Sequence, residues 1–286
     1  MEIDRSVLTP ETERLIREIG IPPCPQVLID FMKEVHSDDT DLHRVSHLIS
    51  RDVGLAATVL QTANSAFYGL RHKAPSIHEA LFAIGLRNAA NLIAGLMLKR
   101  AFATMDPVAM NEFWESTSRV GLTAAYLGRE LGVAELSQAH TYALFRDCGS
   151  PLLMQKFPAH RALVQAAGAD CTQHVTQLEQ AHYGVDHASI GANLAMKWYL
   201  PDDIWQAIEM HHAPRNGTGQ ANAKPGKTEK LVALGSLADC LYRTYKGVDT
   251  SGNWQHEEEL ALAMLEVRRE DIEPLQQDIS RILSGP

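Results

Sequence analysis

Apolar residues recur at three- and four-residue spacing along nearly all of this 286-residue chain, and no stretch alternates apolar with polar as a half-buried strand would. That periodicity restricts the fold to the all-α class. The stretch from Asp52 to Asn64 is typical, with Leu55, Val59, Leu60 and Ala63 on one face. Helix starts and stops are written beside it. Thr9-Pro10 opens the first helix, Pro22-Pro23-Cys24-Pro25 separates it from the next, and Gly85 divides a short helix from a longer buried one. We expect four divisions: helices over 1–105, a helical core over 106–214, a flexible insertion rich in Gly, Asn, Ala and Lys over 215–228, and closing helices over 229–286. A polar connector is expected from Lys246 to Gln255.

Charge and cysteines narrow the function classes. The formal net charge is −9 and the isoelectric point about 5.8. Such a chain lacks the basic face that general nucleic-acid binding needs. Arg71-His72-Lys73 and Lys99-Arg100 are too short to supply one. The four cysteines, Cys24, Cys148, Cys171 and Cys240, form no Cys-x-x-Cys pair, so neither a zinc ribbon nor a thioredoxin-like site is expected. Free thiols in a reducing cytoplasm are their simplest account. The first five residues are charged and lead into no apolar run, so no leader is expected there, and no run of about 18 apolar residues suggests a membrane span.

The pair Arg146-Asp147 is out of character with its surroundings. It interrupts the apolar segment Thr141-Tyr142-Ala143-Leu144-Phe145 and is followed by Cys148-Gly149. A buried charge must be paired or bound to a metal. Downstream, His187, His211-His212 and Asp239 each lie in an apolar helical segment. Each has an ordinary alternative: His187 satisfied by backbone at a helix start, Asp239 paired locally, Arg146-Asp147 a simple ion pair. Adjacent helical residues point about 100° apart, so only one of His211 and His212 is expected to face a given pocket.

Several stretches in order carry a resemblance. They are Ile21-Pro22-Pro23-Cys24-Pro25, Ile49-Ser50-Arg51-Asp52, Ala63-Asn64-Ser65-Ala66-Phe67-Tyr68-Gly69, Ala80 through Gly85-Leu86-Arg87, Gly184-Val185-Asp186-His187, Trp198-Tyr199-Leu200-Pro201 and His211-His212. Together they resemble the HDOD domain, a relative of the HD-type metal phosphohydrolases, over roughly residues 19–214. The resemblance implies a multi-helix HD-like bundle with an N-terminal helical subdomain, used without catalysis in bacterial signalling and regulation. In active relatives a His, a His-Asp pair, further His residues and a late Asp hold metal. Carried over by position, Ser116 stands where the first His would be and Arg146-Asp147 replaces the His-Asp pair. His187, His211 and His212 match later histidines, and Asp239 matches the final Asp.

The exchange of His for Arg has a definite physical cost. Guanidinium is a permanent cation with no lone pair to give a metal. A dication about 4 Å away is repelled by roughly 8 kcal/mol at an effective dielectric of about 20, against about 10–16 kcal/mol for favourable structural zinc binding. Arg146 is therefore expected to do part of the metal's work by neutralising Asp147 and Asp239, and no catalytic residue and no cofactor are expected. The expected function is a signalling or regulatory module that binds signalling proteins or a small phosphorylated ligand, with nucleic acid and membrane excluded and the oligomeric state left open. One alternative is a phosphodiester or phosphomonoester hydrolase with one divalent transition metal on Asp147, His187, His211, His212 and Asp239. Another is a nucleotide sensor with Arg146 on phosphate. Phe67 and Tyr68 either fold back onto the core or form a partner surface.

Overall fold

Asp41, Asp52, Ser76 and Asp106 each precede an apolar run, and each places a side-chain oxygen on a free backbone N–H of the helix it opens. In the computed structural model, which describes residues 10–37, 39–65, 68–169, 175–212, 225–248 and 251–284, helices dominate and no strand occurs among the described residues. They form two groups by contact. One comprises residues 23–104 with 197–200; the other comprises 1–22, 105–196 and 201–286.

The chain opens with α1 (Pro10–Ile19). In the smaller unit follow α2 (Gln26–Val35), α3 (Leu42–Ser50), α4 (Val53–Ala63), α5 (Ile77–Ile84) and α6 (Leu86–Ala101). Gly85 separates the last two with φ +79°, a left-handed conformation that glycine adopts without strain. Phe31, Val45, Ile49, Val59, Leu81, Ile93 and Leu98 are fully buried within this unit. Asp52, the cap of α4, is paired with Arg100 near the end of α6. Trp198 is also buried, as expected of a residue closing a helix before Pro201.

The larger unit continues with α7 (Pro107–Glu130), α8 (Leu136–Phe145), α9 (Gly149–Lys156), α10 (His160–Ala169), α11 (Val175–Tyr183) and α12 (His187–Lys197). Then come α13 (Asp202–Met210), α14 (Lys227–Tyr245), α15 (Ser251–Leu265) and α16 (Ile272–Ser284). Its core joins Val120, Ala124 and Leu127 of α7, Ala139 and Ala143 of α8, and Leu234, Leu237 and Leu241 of α14, with Leu262, Leu275 and Ile279 from the last two helices. Each buried Leu or Ile contributes about 1.5–3 kcal/mol relative to exposure.

Three sequence expectations are corrected. Helix α1 groups with the larger unit rather than with 23–104. It packs on α9, with Ile16 and Ile19 buried and Lys156 Nζ donating to the Glu18 carbonyl. The connector expected to run to Gln255 is helical from Ser251. Most of the expected insertion lies outside the described residues, and Lys227 and Thr228 at its end already belong to α14. Phe67 also lies outside them. Cys148 is buried, and Cys24 and Cys240 are half-buried.

Candidate metal centre

Two glycines let helix backbones close around the site. A Cβ on Gly149, first residue of α9, would collide with the carbonyl of His187, first residue of α12. A Cβ on Gly191 would meet Ile208 of α13 at 3.2 Å and the Cys148 sulfur at 3.3 Å. The starts of α9 and α12 and the end of α13 are thereby drawn together. Helix α8 ends at Phe145, so Arg146 and Asp147 lie at its exit. From α14 come Gly235 and, one turn on, Asp239.

Arg146 points into this group and all three of its guanidinium nitrogens are engaged. Nε donates to Asp147 Oδ2 at 3.0 Å, Nη1 donates to the Gly235 carbonyl at 3.1 Å, and Nη2 lies 3.7 Å from Asp239 Oδ1. A Cβ at position 235 would come within 2.7 Å of the Tyr142 ring, so glycine is what lets α14 approach α8 this closely. Burial opposes the charge on Arg146, but Asp147 and Asp239 outweigh it and hold the guanidinium firmly protonated.

The other oxygen of Asp147 faces histidines. Its Oδ1 lies 3.3 Å from His211 Nε2 and 3.6 Å from His187 Nε2, and the two Nε2 atoms are 3.3 Å apart. Each ring has its far nitrogen committed: His187 Nδ1 donates to Glu179 Oε2 at 2.7 Å, and His211 Nδ1 donates to the Ile208 carbonyl at 2.6 Å. Two imidazole nitrogens and a carboxylate oxygen thus converge on one point, where a positive charge is required. A proton on His187 supplies it in the metal-free chain. Burial lowers the His187 pKa, yet Asp147 and Glu179 outweigh burial and push it up to about 10. Burial raises the Asp147 pKa, but Arg146, His187 and His211 together hold it well below the usual carboxylate range. Burial, more than any neighbouring charge, lowers the pKa of His211 and of His212.

The same atoms fit a metal. Asp147, His187, His211 and His212 each present one ligand atom, all within 4.8 Å of one another. A tetrahedral shell with bonds of about 2.0–2.1 Å has edges of about 3.4 Å, close to the observed 3.3, 3.3 and 3.6 Å. Nitrogen and carboxylate donors suit Zn, Mn or Fe.

These distances correct several expectations. His211 and His212 both join the cluster, with ring centroids 5.2 and 5.0 Å from that of His187. Helix α13 ends at Met210, so the two lie in the turn beyond it, where helical spacing no longer separates them. Asp239, a ligand in the metal alternative, falls outside the set of candidate ligand atoms, and it lies beside Arg146 as the neutralising role of that cation requires. Ser116 is half-buried on α7, with no hydrogen bond to the cluster among the described residues. Tyr68 is half-buried, and burial pushes its phenol up to about 12. His187 is held by a side chain, Glu179, which the sequence reading missed along with His160. Glu179 sits in a polar helix eight residues before His187, and nothing local separates it from a solvated glutamate.

An all-helical scaffold that gathers an aspartate and three histidines at helix ends defines an HD-like helical protein. The family model for the HDOD domain matches residues 21–214. The chain belongs to the HDOD family. An uncharacterized protein of Treponema pallidum (strain Nichols) is 28% identical over 193 residues, covering 67% of this chain and 37% of that protein. The match therefore spans little more than a third of that relative's length. Among solved structures, a candidate phosphohydrolase from Shewanella amazonensis SB2B superposes with a TM-score of 0.69 at 22% identity, covering 94% of each chain. A candidate signal transduction protein from Marinobacter aquaeolei VT8 gives 0.62 at 20% identity, covering 93% of this chain and 58% of that one. At these identities the likeness establishes the fold. No single helix among the described residues is long and apolar enough to cross a membrane.

Proposed function

We propose that this chain is a regulatory module of the HDOD family whose HD-type site recognises rather than hydrolyses, acting through contacts with signalling proteins or a small ligand. One observation carries the reading. Arg146 occupies the second oxygen of Asp147 with every guanidinium nitrogen already engaged. One oxygen of Asp147 thereby belongs to a fixed cation, and only the other faces the histidines. A first metal would meet repulsion of roughly 8 kcal/mol at about 4 Å and an effective dielectric of about 20. The reading in which Arg146 grips a phosphate gains little support, since its charge is already shared between Asp147 and Asp239. The partner-surface role for Tyr68 stays part of this proposal, although its half-burial limits what it offers.

A second reading is favoured by the converging ligand atoms. A single divalent transition metal on Asp147, His187, His211 and His212 would supply Lewis acidity toward a phosphate ester. Here Glu179 would hold the His187 ring with Nε2 forward, as carboxylates behind metal-bound histidines do. Arg146 would keep Asp147 ionised.

Elemental analysis of protein purified without chelator, followed by a metal-supplemented screen of phosphomonoesters and phosphodiesters, separates the two. The regulatory reading expects substoichiometric metal and no turnover above that of Asp147→Asn. Stoichiometric metal with turnover abolished by Asp147→Asn overturns it in favour of the hydrolase.

A further inference from the structure

Glu179 is fully buried, and its carboxylate accepts three hydrogen bonds. His160 Nε2 donates to Oε1 at 2.7 Å. The backbone N–H of His187 donates to Oε2 at 2.9 Å, and His187 Nδ1 donates to the same oxygen at 2.7 Å. An isolated buried carboxylate is costly, and filling space is done more cheaply by an apolar side chain. The arrangement of donors gives Glu179 a different use. Because one oxygen takes both the backbone and the ring of His187, it closes a loop of atoms through that residue and fixes the imidazole against rotation. With Nδ1 committed, only Nε2 can face Asp147 and His211.

His160 completes the device from the opposite side. It is fully buried, and its Nδ1 has no hydrogen-bond partner among the described residues, so its polar contact is the one to Glu179. Its ring lies 6.0 Å from that of Tyr183, which stacks on Phe157 at 4.2 Å. Held on Oε1 by His160, the carboxylate cannot swing away from His187.

We propose that Glu179 is the positioning residue of this site and that His160 is the clamp that keeps it in place. The proposal rests on reading the Asp147 cluster as the functional site, but its test does not require that any metal or partner bind. Ring N–H signals of ¹⁵N-labelled, chelator-treated protein are recorded for the whole chain. Wild type should show solvent-protected ring N–H protons assigned to His160 Nε2 and His187 Nδ1, beside that of His211 Nδ1 on the Ile208 carbonyl, which serves as an internal reference. Glu179→Gln has one acceptor oxygen where the carboxylate has two, so at most one of the His160 Nε2 and His187 Nδ1 signals should survive, with that of His211 retained, in a variant that stays folded by circular dichroism. His160→Phe removes only the clamp. It should keep the His187 signal but speed its solvent exchange at least tenfold, which keeps the idea testable if Glu179→Gln fails to fold. Undisturbed His160 and His187 signals in folded Glu179→Gln, unchanged exchange in His160→Phe, or the absence of both signals from wild type would each overturn the assignment.

Discussion

Asp147 divides its carboxylate between two unlike partners: Oδ2 accepts from Nε of its chain neighbour Arg146 at 3.0 Å, while Oδ1 faces His211 Nε2 at 3.3 Å. The guanidinium and the histidine cluster therefore hold opposite sides of one carboxylate. Arg146 stands beside the candidate ligand atoms rather than among them. It fixes the charge and rotamer of the group on which they converge.

Removing that cation should be costly. Arg146→Met leaves Asp147 and Asp239 beside an apolar side chain. Truncating one partner of a fully buried ion pair costs about 3–5 kcal/mol, and the partial exposure of Asp147 and Asp239 should bring the loss below that range. The urea midpoint should fall accordingly, and Arg146→Met/Asp147→Asn should recover part of the loss. A midpoint within about 0.5 kcal/mol of wild type, typical of a surface change, would contradict the pairing.

Neutralising position 146 without emptying it should uncover the latent metal affinity. Arg146→Gln removes the repulsion while the ligand edges of 3.3–3.6 Å remain. Zinc affinity by calorimetry should rise at least tenfold, and Ser116→His with Arg146→His should raise it further. Unchanged affinity in both variants would mean that the cluster is not a metal set.

Gly149 should tolerate no side chain. The Cβ of Gly149→Ala would run into the His187 carbonyl, and neither backbone can move without separating α9 from α12. The cost should reach or exceed the upper end of the about 1–3 kcal/mol range for overpacking. A melting temperature equal to wild type would refute the close approach.

The pH dependence of metal-free protein follows from the signs of the shifts. His187 is raised to about 10 from its ordinary 6.5, so its contribution is complete below pH 6.5 and is lost as pH climbs toward 10. Glu179 is lowered to about 2 from 4.5, because His160 and His187 outweigh burial. Its contribution is present above 4.5 and disappears as pH falls toward 2. His140 is lowered to about 4 by burial, and His211 and His212 are also lowered. The unfolded chain then binds more protons than the folded one below pH 6.5, so these three rings destabilise the fold as pH drops. Denaturant titrations should show a maximum near pH 6.5, and its alkaline slope should flatten in His187→Gln. A slope unaffected by that change would exclude a charged His187.

The sequence by itself determined the helices. Apolar spacing, the caps at Asp41, Asp52, Ser76 and Asp106, and the break at Gly85 act within a turn or two, so they can be read from neighbours alone. It also marked Arg146, Asp147, His187, His211 and His212, because charged or ligating groups in apolar segments require partners. Which partners they meet was decided by tertiary packing. The roles of Glu179 and His160, and the placement of both His211 and His212 at the cluster, depend on contacts between residues far apart in the chain. The physical reason is distance: capping and periodicity are local, whereas a carboxylate becomes a positioning group only when separate helices, α10 and α12, place imidazoles on both of its oxygens.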